Sequence, residues 1–208
     1  MLSSTAGGQQ LADQAERFIL LLLFGWLLYR MWPGLQSQEW LINLLYVIDQ
    51  CLVIVFCLCR RTAERIAISA RTWIVAFGGS FLPLMVEPAS GTPIVPLMLA
   101  AVLLISGMAL HLAAKLTLRR SFGVVAAKRE IKVSGPYRWV RHPMYAGYIL
   151  TEIAILLAGP SWYNALLIVA IWVLQLWRIK DEERFLAHDP LYIALRSQTP
   201  YRLIPGVY

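Results

Sequence analysis

The segment between residues 135 and 147, GPYRWVRHPMYAG, has the residue types of a site for an anionic ligand. His142-Pro143 predicts the start of a helix, because the residue before a proline avoids the α region and proline suits the first helical position. The free backbone N–H groups of that first turn, near Met144 and Tyr145, would attract a carboxylate or a phosphate. Gly147 on the next turn would let a backbone or a ligand approach closely.

A second polar cluster follows the last long apolar run and consists of Arg178 and the acidic pair Glu182-Glu183. The apolar runs 143–159 and 162–178 are joined by Gly159-Pro160-Ser161, which ends one helix and starts another. A helical hairpin returns its two ends to the same face, so we expect both polar segments to converge on one ligand. Without the second cluster, Arg-His-Pro would indicate only a basic membrane boundary followed by a proline-initiated helix.

The composition indicates that the elements carrying these clusters lie in a membrane. Of the 208 residues, 59% are hydrophobic and 15% are charged, whereas soluble domains have about 45–50% apolar and about 25% charged residues. The formal charge of +7 comes mainly from residues between the apolar runs, so anionic membrane lipids, and not nucleic acid, are the expected counterions. Cys51, Cys57 and Cys59 lie in one apolar run, where we expect buried free thiols instead of metal ligands.

The apolar runs predict an all-α fold, a polytopic membrane helical bundle of about five or six transmembrane helices, because a spanning helix needs about 20 apolar residues. The loops 60–71 and 115–141 are rich in Lys and Arg, which places both loops in the cytoplasm together with the N and C termini. We expect a single membrane domain over residues 1–208, with N-terminal transmembrane helices in 1–114 and the site in 115–208. Besides the hairpin, the predicted spans lie near 18–32, 40–59, 72–88 and 94–118.

Together, GPYRWVRHPMYAG and RIKDEERFL at 178–186 resemble motifs of the isoprenylcysteine carboxyl methyltransferase family of integral membrane methyltransferases. The two motifs stand in the expected order and are separated by a helical pair. The tail ends in YRLIPG, a Tyr-then-Pro pattern that bacterial members show, so the expected location is a bacterial inner membrane. The resemblance implies that the loop before the hairpin and the tail after it bind S-adenosylmethionine, with S-adenosylhomocysteine as the product.

The resemblance also implies roles for individual residues. Arg178 would be the catalytic residue that meets the substrate, and Glu182 would bind the cofactor, although Glu183 fits the same motif one position later. Glu152, an acid inside an apolar run, is a candidate for the substrate channel, with interhelical hydrogen bonding as the alternative. The other cofactor contacts implied by the resemblance are Arg129, Glu130, Ile131 and Lys132, largely through their backbone, together with Tyr137, His142, Pro143, Met144 and Tyr145.

Methyl transfer from a sulfonium mainly requires positioning, exclusion of water and an oriented nucleophile, without a metal. A lipophilic small molecule or a lipidated substrate would enter from the bilayer and the cofactor from the cytoplasm. A carboxylate is the leading acceptor, while a thiol or an amino-phospholipid stays open. Arg129 to Lys132 replace the His-x-Leu-Val that is usual in members acting on prenylated proteins. This departure leaves the acceptor open. The sequence does not specify the oligomeric state.

Two other classes of protein are weighed against this one. A membrane reductase of the sterol-reductase type has a similar C-terminal Arg-His-Pro-x-Tyr element and uses NADPH, but such reductases normally carry more spanning segments. A transporter or scaffold would need paired ionisable groups along several spans, and the runs offer Asp49, Glu152 and Lys115. His111 is expected to pack at a helix interface, and Ser106-Gly107 to mark a close helix contact.

Overall fold

The computed structural model describes residues 6–32, 40–86 and 91–208, and these residues are predominantly helical. The predicted loop 33–39 and residues 87–90 of the loop 86–93 lie outside the described residues. The α-helices are Ala6–Met31 (α1), Trp40–Cys59 (α2), Ala70–Phe81 (α3), Leu97–Leu118 (α4), Pro143–Ala158 (α5), Trp162–Leu186 (α6) and Pro190–Gln198 (α7).

The described part of the chain also contains two short strands. Arg65–Ile66 (β1) and Ala127–Lys128 (β2) pair antiparallel, with Arg65 opposite Lys128. The segment after α2 and the segment after α4 are thus tied together next to the predicted site. Turns of 3-10 helix cover Leu82–Met85, Arg119–Ser121 and Gly135–Arg138.

Helices α2, α4 and α5 follow the predicted apolar runs, whereas α1 and α3 depart from them. α1 begins at Ala6, far ahead of the apolar run 18–32, because one face of its polar half, with Asp13 and Glu16, is buried against the protein. α3 ends at Phe81, since Pro83 cannot donate a backbone hydrogen bond and the chain tightens into a 3-10 turn. With 12 residues, α3 is about 18 Å long, against about 30 Å of hydrocarbon core. The predicted run 72–88 therefore does not form one continuous α-helix: α3 ends at Phe81, the 3-10 turn reaches Met85, and residues 87–88 lie outside the described residues.

Two helical stretches within the described residues are long and apolar enough to cross a membrane. They are Leu97–Ser121 and Trp162–Leu186, and Pro143–Ala158 is apolar but shorter. This agrees with a membrane protein by length and composition. The count of five or six spans and the orientation of the termini stay predictions.

The cysteines of α2 differ in burial. Cys57 is buried, while Cys51 and Cys59 are exposed on the surface of the helix, and all three are free thiols. The expectation of three buried thiols is therefore wrong for two of them, since successive positions on a helix point in different directions.

Helices α4 and α5 pack closely because two glycines face each other. A Cβ atom at Gly107 would lie 2.8 Å from the Gly147 carbonyl oxygen, and a Cβ atom at Gly147 would lie 2.7 Å from the Gly107 oxygen. Any side chain at either position would push the helices apart, as expected for a close helix contact. This packing fixes the start of α5, and His142 with it, against α4.

An ion pair is buried between α2 and α4. Lys115 Nζ lies 2.6 Å from Oδ1 and 2.8 Å from Oδ2 of Asp49. The ammonium group also lies 5.4 Å from the centre of the Tyr148 ring in α5. His111 packs against the same ring with 5.0 Å between centroids, as expected for an interface residue. The pair therefore joins three helices at one point.

The polar half of α1 binds the segment after α4 through a buried cluster of charges. Asp13 lies 3.1 Å from Arg60 and 2.9 Å from Arg129, and Glu16 lies 2.9 Å and 3.3 Å from the same two guanidinium groups. All four side chains are at most 4% exposed. Isolated charges could not be buried at this depth, so each acid depends on its arginines. The N-terminal helix thereby holds residues that the sequence analysis assigned to the site.

Candidate functional site

A cavity of about 140 Å³ lies where α5 begins and α6 ends. One wall is the segment 121–132 after α4, and the opposite walls come from the start of α5, the end of α6 and one face of α7. Pro143 is buried at the first position of α5 but does not line the cavity. The other nine predicted cofactor contacts all line it: Arg129, Glu130, Ile131, Lys132, Tyr137, His142, Met144, Tyr145 and Glu182.

His142 links the two polar segments. It occupies the N-cap of α5 with φ −126° and ψ 56°, outside the helical region, as a residue before proline should. Its side chain makes no capping hydrogen bond. Instead, Nε2 lies 3.3 Å from Glu183 Oε1, and Nδ1 lies 3.6 Å from Glu182 Oε2. The structure thus brings together the two clusters that the predicted hairpin placed on one face.

Tyr137 reaches the cavity through a turn that requires glycine. Gly135 has φ +58°, where a Cβ atom is unfavourable, and a Cβ there would lie 2.7 Å from Thr117 Oγ1. The 3-10 turn that follows buries Tyr137. Burial raises the pKa of Tyr137 well above its usual value, and the negative charge of Glu182 adds to the rise. The phenol therefore stays protonated and keeps its O–H donor.

The two adjacent acids have different partners. Glu183 accepts hydrogen bonds from Arg141 Nε at 3.0 Å and from Arg202 Nη2 at 2.7 Å. Glu182 accepts a hydrogen bond from the Tyr145 hydroxyl at 2.8 Å, is 26% exposed and lines the cavity. Glu183 therefore binds the C-terminal tail, while Glu182 lines the cavity. Of the two acids, Glu182 is the one whose position fits the predicted cofactor contact.

The tail attachment through Glu183 predicts a change in stability. We expect Glu183→Gln to lower the stability of the detergent-solubilised protein by about 1–3 kcal/mol, because two arginines would lose a charged acceptor. Thermal unfolding measures the change. The matched control is Glu182→Gln, one position away and more exposed, which should shift Tm much less. Equal shifts for both variants would contradict the tail-fastening role.

The segment 129–132 lines the cavity, but its first two side chains already have protein partners. Arg129 is held by the acids of α1, and Glu130 Oε2 accepts a hydrogen bond from Arg61 Nη1 at 2.9 Å. Their backbone is thus the part left to meet a ligand, in keeping with the predicted backbone contacts. Strand β2, Ala127–Lys128, ends directly before this segment.

The cavity wall and α7 are also tied together. Lys128 Nζ lies 3.2 Å from Asp189, whose side chain caps α7 by accepting the backbone N–H of Leu191 at 2.9 Å. Burial of Asp189 disfavours its charged form, but the Leu191 and Lys128 hydrogen bonds outweigh it and lower the pKa of Asp189. The cap is therefore a charged carboxylate at neutral pH.

Arg178 lies behind the cavity instead of lining it. Its Nη2 donates to the Val124 carbonyl oxygen at 2.9 Å, and Nη1 lies 3.3 Å from Ser80 Oγ of α3. The guanidinium stands 5.2 Å from the centre of the Tyr145 ring, whose hydroxyl binds Glu182. Tyr145 is thus the side chain that separates the predicted cofactor contacts from the predicted substrate contact.

Glu152 stands apart from this group. It accepts hydrogen bonds from Trp172 Nε1 at 2.6 Å and from Gln175 Nε2 at 3.2 Å, both in α6. These contacts match the alternative of interhelical hydrogen bonding between α5 and α6. The side chain does not line the cavity.

Several residues that shape the site carry no local signal. Asp13 and Glu16 lie far upstream, in a polar stretch that resembles an exposed helix end, and Arg141 and Arg202 look like ordinary boundary charges. The one available signal is the spacing of Asp13 and Glu16, three residues apart and so on one helix face.

Fold and cavity together define a class: a helical membrane protein whose pocket is lined by tyrosines and by charged side chains of both signs. The pocket lies between the start of one apolar helix and the polar end of the next. Residues 98–188 match the model of the Isoprenylcysteine carboxyl methyltransferase (ICMT) family. The match includes both motifs, and the resemblance seen in them is confirmed. The family is one of membrane methyltransferases. A comparison with curated proteins gave no match.

Proposed function

We propose that this chain is a multi-pass membrane methyltransferase that uses S-adenosylmethionine to methylate a lipophilic acceptor at the cytoplasmic face of a bacterial inner membrane. The observation that carries the proposal is the convergence of nine predicted cofactor contacts on one cavity. These residues come from three separate stretches of the sequence. Such convergence is not expected if the motifs were only boundary residues of membrane helices.

The groups present in the cavity fit this cofactor. Glu182 gives one oxygen to the Tyr145 hydroxyl and retains acceptor sites toward the cavity for hydroxyl or ammonium groups. The faces of Tyr137 and Tyr145 favour a cation, and a sulfonium is one. Apolar side chains, including Met144 and Leu118, complete the lining. Cofactor binding would therefore fall to Glu182, the two tyrosines and the backbone of 129–132.

S-adenosylmethionine, when bound, supplies a methyl group already activated on sulfur. The chain then has to orient the acceptor and exclude water. Arg178 is suited to bind a carboxylate or phosphate of the acceptor, because a guanidinium offers several donors in one plane. Its Nε is buried without a hydrogen-bond partner among the described residues, so a donor is left for such a group.

A carboxylate is the acceptor that these residues favour. Carboxylates are ionised at neutral pH and need no general base, so an arginine that holds them is sufficient. A thiol or an amine would require a base. His142 lines the cavity, but both of its ring nitrogens face the acids of α6.

Ligand-dependent melting of the detergent-purified protein tests the proposal. S-adenosylhomocysteine should raise Tm, because a ligand at 100 times its Kd that binds only the folded state adds about 2.7 kcal/mol. NADPH, the cofactor of the reductase alternative, should leave Tm unchanged. Stabilisation by NADPH together with none by S-adenosylhomocysteine would end the proposal.

Glu182 should determine cofactor affinity. We expect Glu182→Gln to weaken S-adenosylhomocysteine binding about 10- to 100-fold, because hydrogen bonds to a charged group contribute about 1.5–3 kcal/mol. Titration calorimetry measures the change. Glu152→Gln is the control, since its partners lie in α6 away from the cavity, and its affinity should stay near that of the wild type. Unchanged affinity in Glu182→Gln would remove this acid from the cofactor site.

A further inference from the structure

Glu16 of α1 holds the backbone of the cavity wall directly. Its Oε1 accepts hydrogen bonds from the backbone N–H groups of Val124 and Val125, at 2.7 Å and 2.9 Å. Its other oxygen is bound by Arg60 and Arg129. The side chain is fully buried, at 0% exposure. One carboxylate oxygen therefore accepts hydrogen bonds from two successive backbone N–H groups. Hydrogen bonds to a carboxylate are stronger than those to a neutral acceptor.

The turn at residues 123–125, which Glu16 holds, contacts both the cavity with its predicted cofactor contacts and the predicted substrate contact Arg178. Gly123 and Val125 line the cavity beside the predicted cofactor contacts. The carbonyl oxygen of Val124 accepts the hydrogen bond from Arg178 Nη2 at 2.9 Å. Glu16 thus holds the N–H side of this turn and Arg178 its C=O side.

The orientation of this turn has to be fixed by a partner outside it. The amides of Val124 and Val125 are not in a helix or in the β1–β2 ladder, so without Glu16 they would be buried donors without an acceptor. If the peptide plane rotated to find another acceptor, the Val124 oxygen would leave the Arg178 guanidinium. The cavity wall and the arginine would then shift together.

We propose that Glu16 is a positioning residue for the methyltransferase site, one that sets both the wall at 123–125 and the place of the Arg178 guanidinium. That this positioning serves methyl transfer rests on the proposed function. The proposal also assigns a role at the site to α1, which lies outside the matched residues 98–188.

Asp13 provides a matched comparison within the same charge cluster. Glu16→Gln and Asp13→Asn each remove one negative charge beside Arg60 and Arg129, but among the two acids only Glu16 bonds the amides of 124–125. Hydrogen exchange followed by mass spectrometry should show the segment 122–126 exchanging about tenfold faster in Glu16→Gln and within about twofold of wild type in Asp13→Asn. S-adenosylhomocysteine affinity should fall about fivefold or more in Glu16→Gln only.

Glu16→Asp keeps the charge and shortens the side chain by one methylene, so it tests the same contact if Glu16→Gln does not fold. It should show the same faster exchange and weaker binding, with a melting temperature closer to that of the wild type. Equal exchange and equal affinity in the Glu16 and Asp13 variants would overturn the inference. If the wild type itself bound no S-adenosylhomocysteine, the proposed function would fail, while the exchange contrast would still decide whether Glu16 positions the turn.

Discussion

Replacing Arg178 with alanine is expected to lower methyl transfer about 10²- to 10³-fold while leaving S-adenosylhomocysteine affinity within about threefold. The guanidinium lies behind Tyr145 and outside the cavity lined by the cofactor contacts. Its loss should therefore weaken the binding of the acceptor and not that of the cofactor. Incorporation of a labelled methyl group into a membrane lipid extract measures turnover, and calorimetry measures affinity.

Arg178→Lys is the informative control, because lysine keeps the charge but not the planar set of donors. It should recover only part of the activity if the acceptor is bound bidentately. Some loss of stability is expected in both variants, since the Val124 carbonyl and Ser80 lose a donor. Assays are therefore run well below the lowered Tm. A fall in cofactor affinity as large as that of Glu182→Gln would refute the division of roles between the two residues.

Lys115→Met is expected to destabilise the protein by about 3–5 kcal/mol, the largest stability effect predicted for this chain. It would leave Asp49 buried without its cation, and breaking a buried pair from one side costs about that much. Unfolding in mixed detergent micelles measures it. The double variant Asp49→Leu with Lys115→Met should recover most of the loss, because neither charge is then buried.

The matched control for this pair is Arg61→Met, which removes one member of an exposed pair with Glu130. Exposed pairs contribute little, so its Tm should stay close to that of the wild type. The loss of stability in the double variant could instead equal the sum of the losses in Asp49→Leu alone and Lys115→Met alone. The two side chains would then not be a coupled pair in the folded protein.

Much of the site could be predicted from the sequence because its signals are local. Proline fixes the start of α5, so His142 had to be an N-cap, and the Gly-Pro-Ser turn had to bring the end of α6 back to it. Gly135, which has a positive φ and is followed by Pro136, is a local signal of the same kind for the turn that presents Tyr137. Each of these depends on the backbone preferences of one or two residues.

The rest depends on contacts between residues far apart in the chain. No pattern links Glu16 to Val124, since the separation of 108 residues carries no periodicity. The choice between Glu182 and Glu183 turned on partners in α5 and the tail, which motif spacing does not specify. Likewise, the end of α3 was misplaced because its apolar composition continues past the proline that stops the helix.

The most direct test of the central claim is to incubate the purified wild-type protein with S-adenosylmethionine carrying a labelled methyl group and a bacterial lipid extract. Mass spectrometry of the organic phase should show a labelled product that depends on active protein and disappears when excess S-adenosylhomocysteine is added. The mass of that product and its fragmentation, which locates the methyl group on oxygen, sulfur or nitrogen, identify the acceptor as a carboxylate, thiol or amine. A protein that is folded by its melting curve and transfers no label to any lipid fraction would contradict the account.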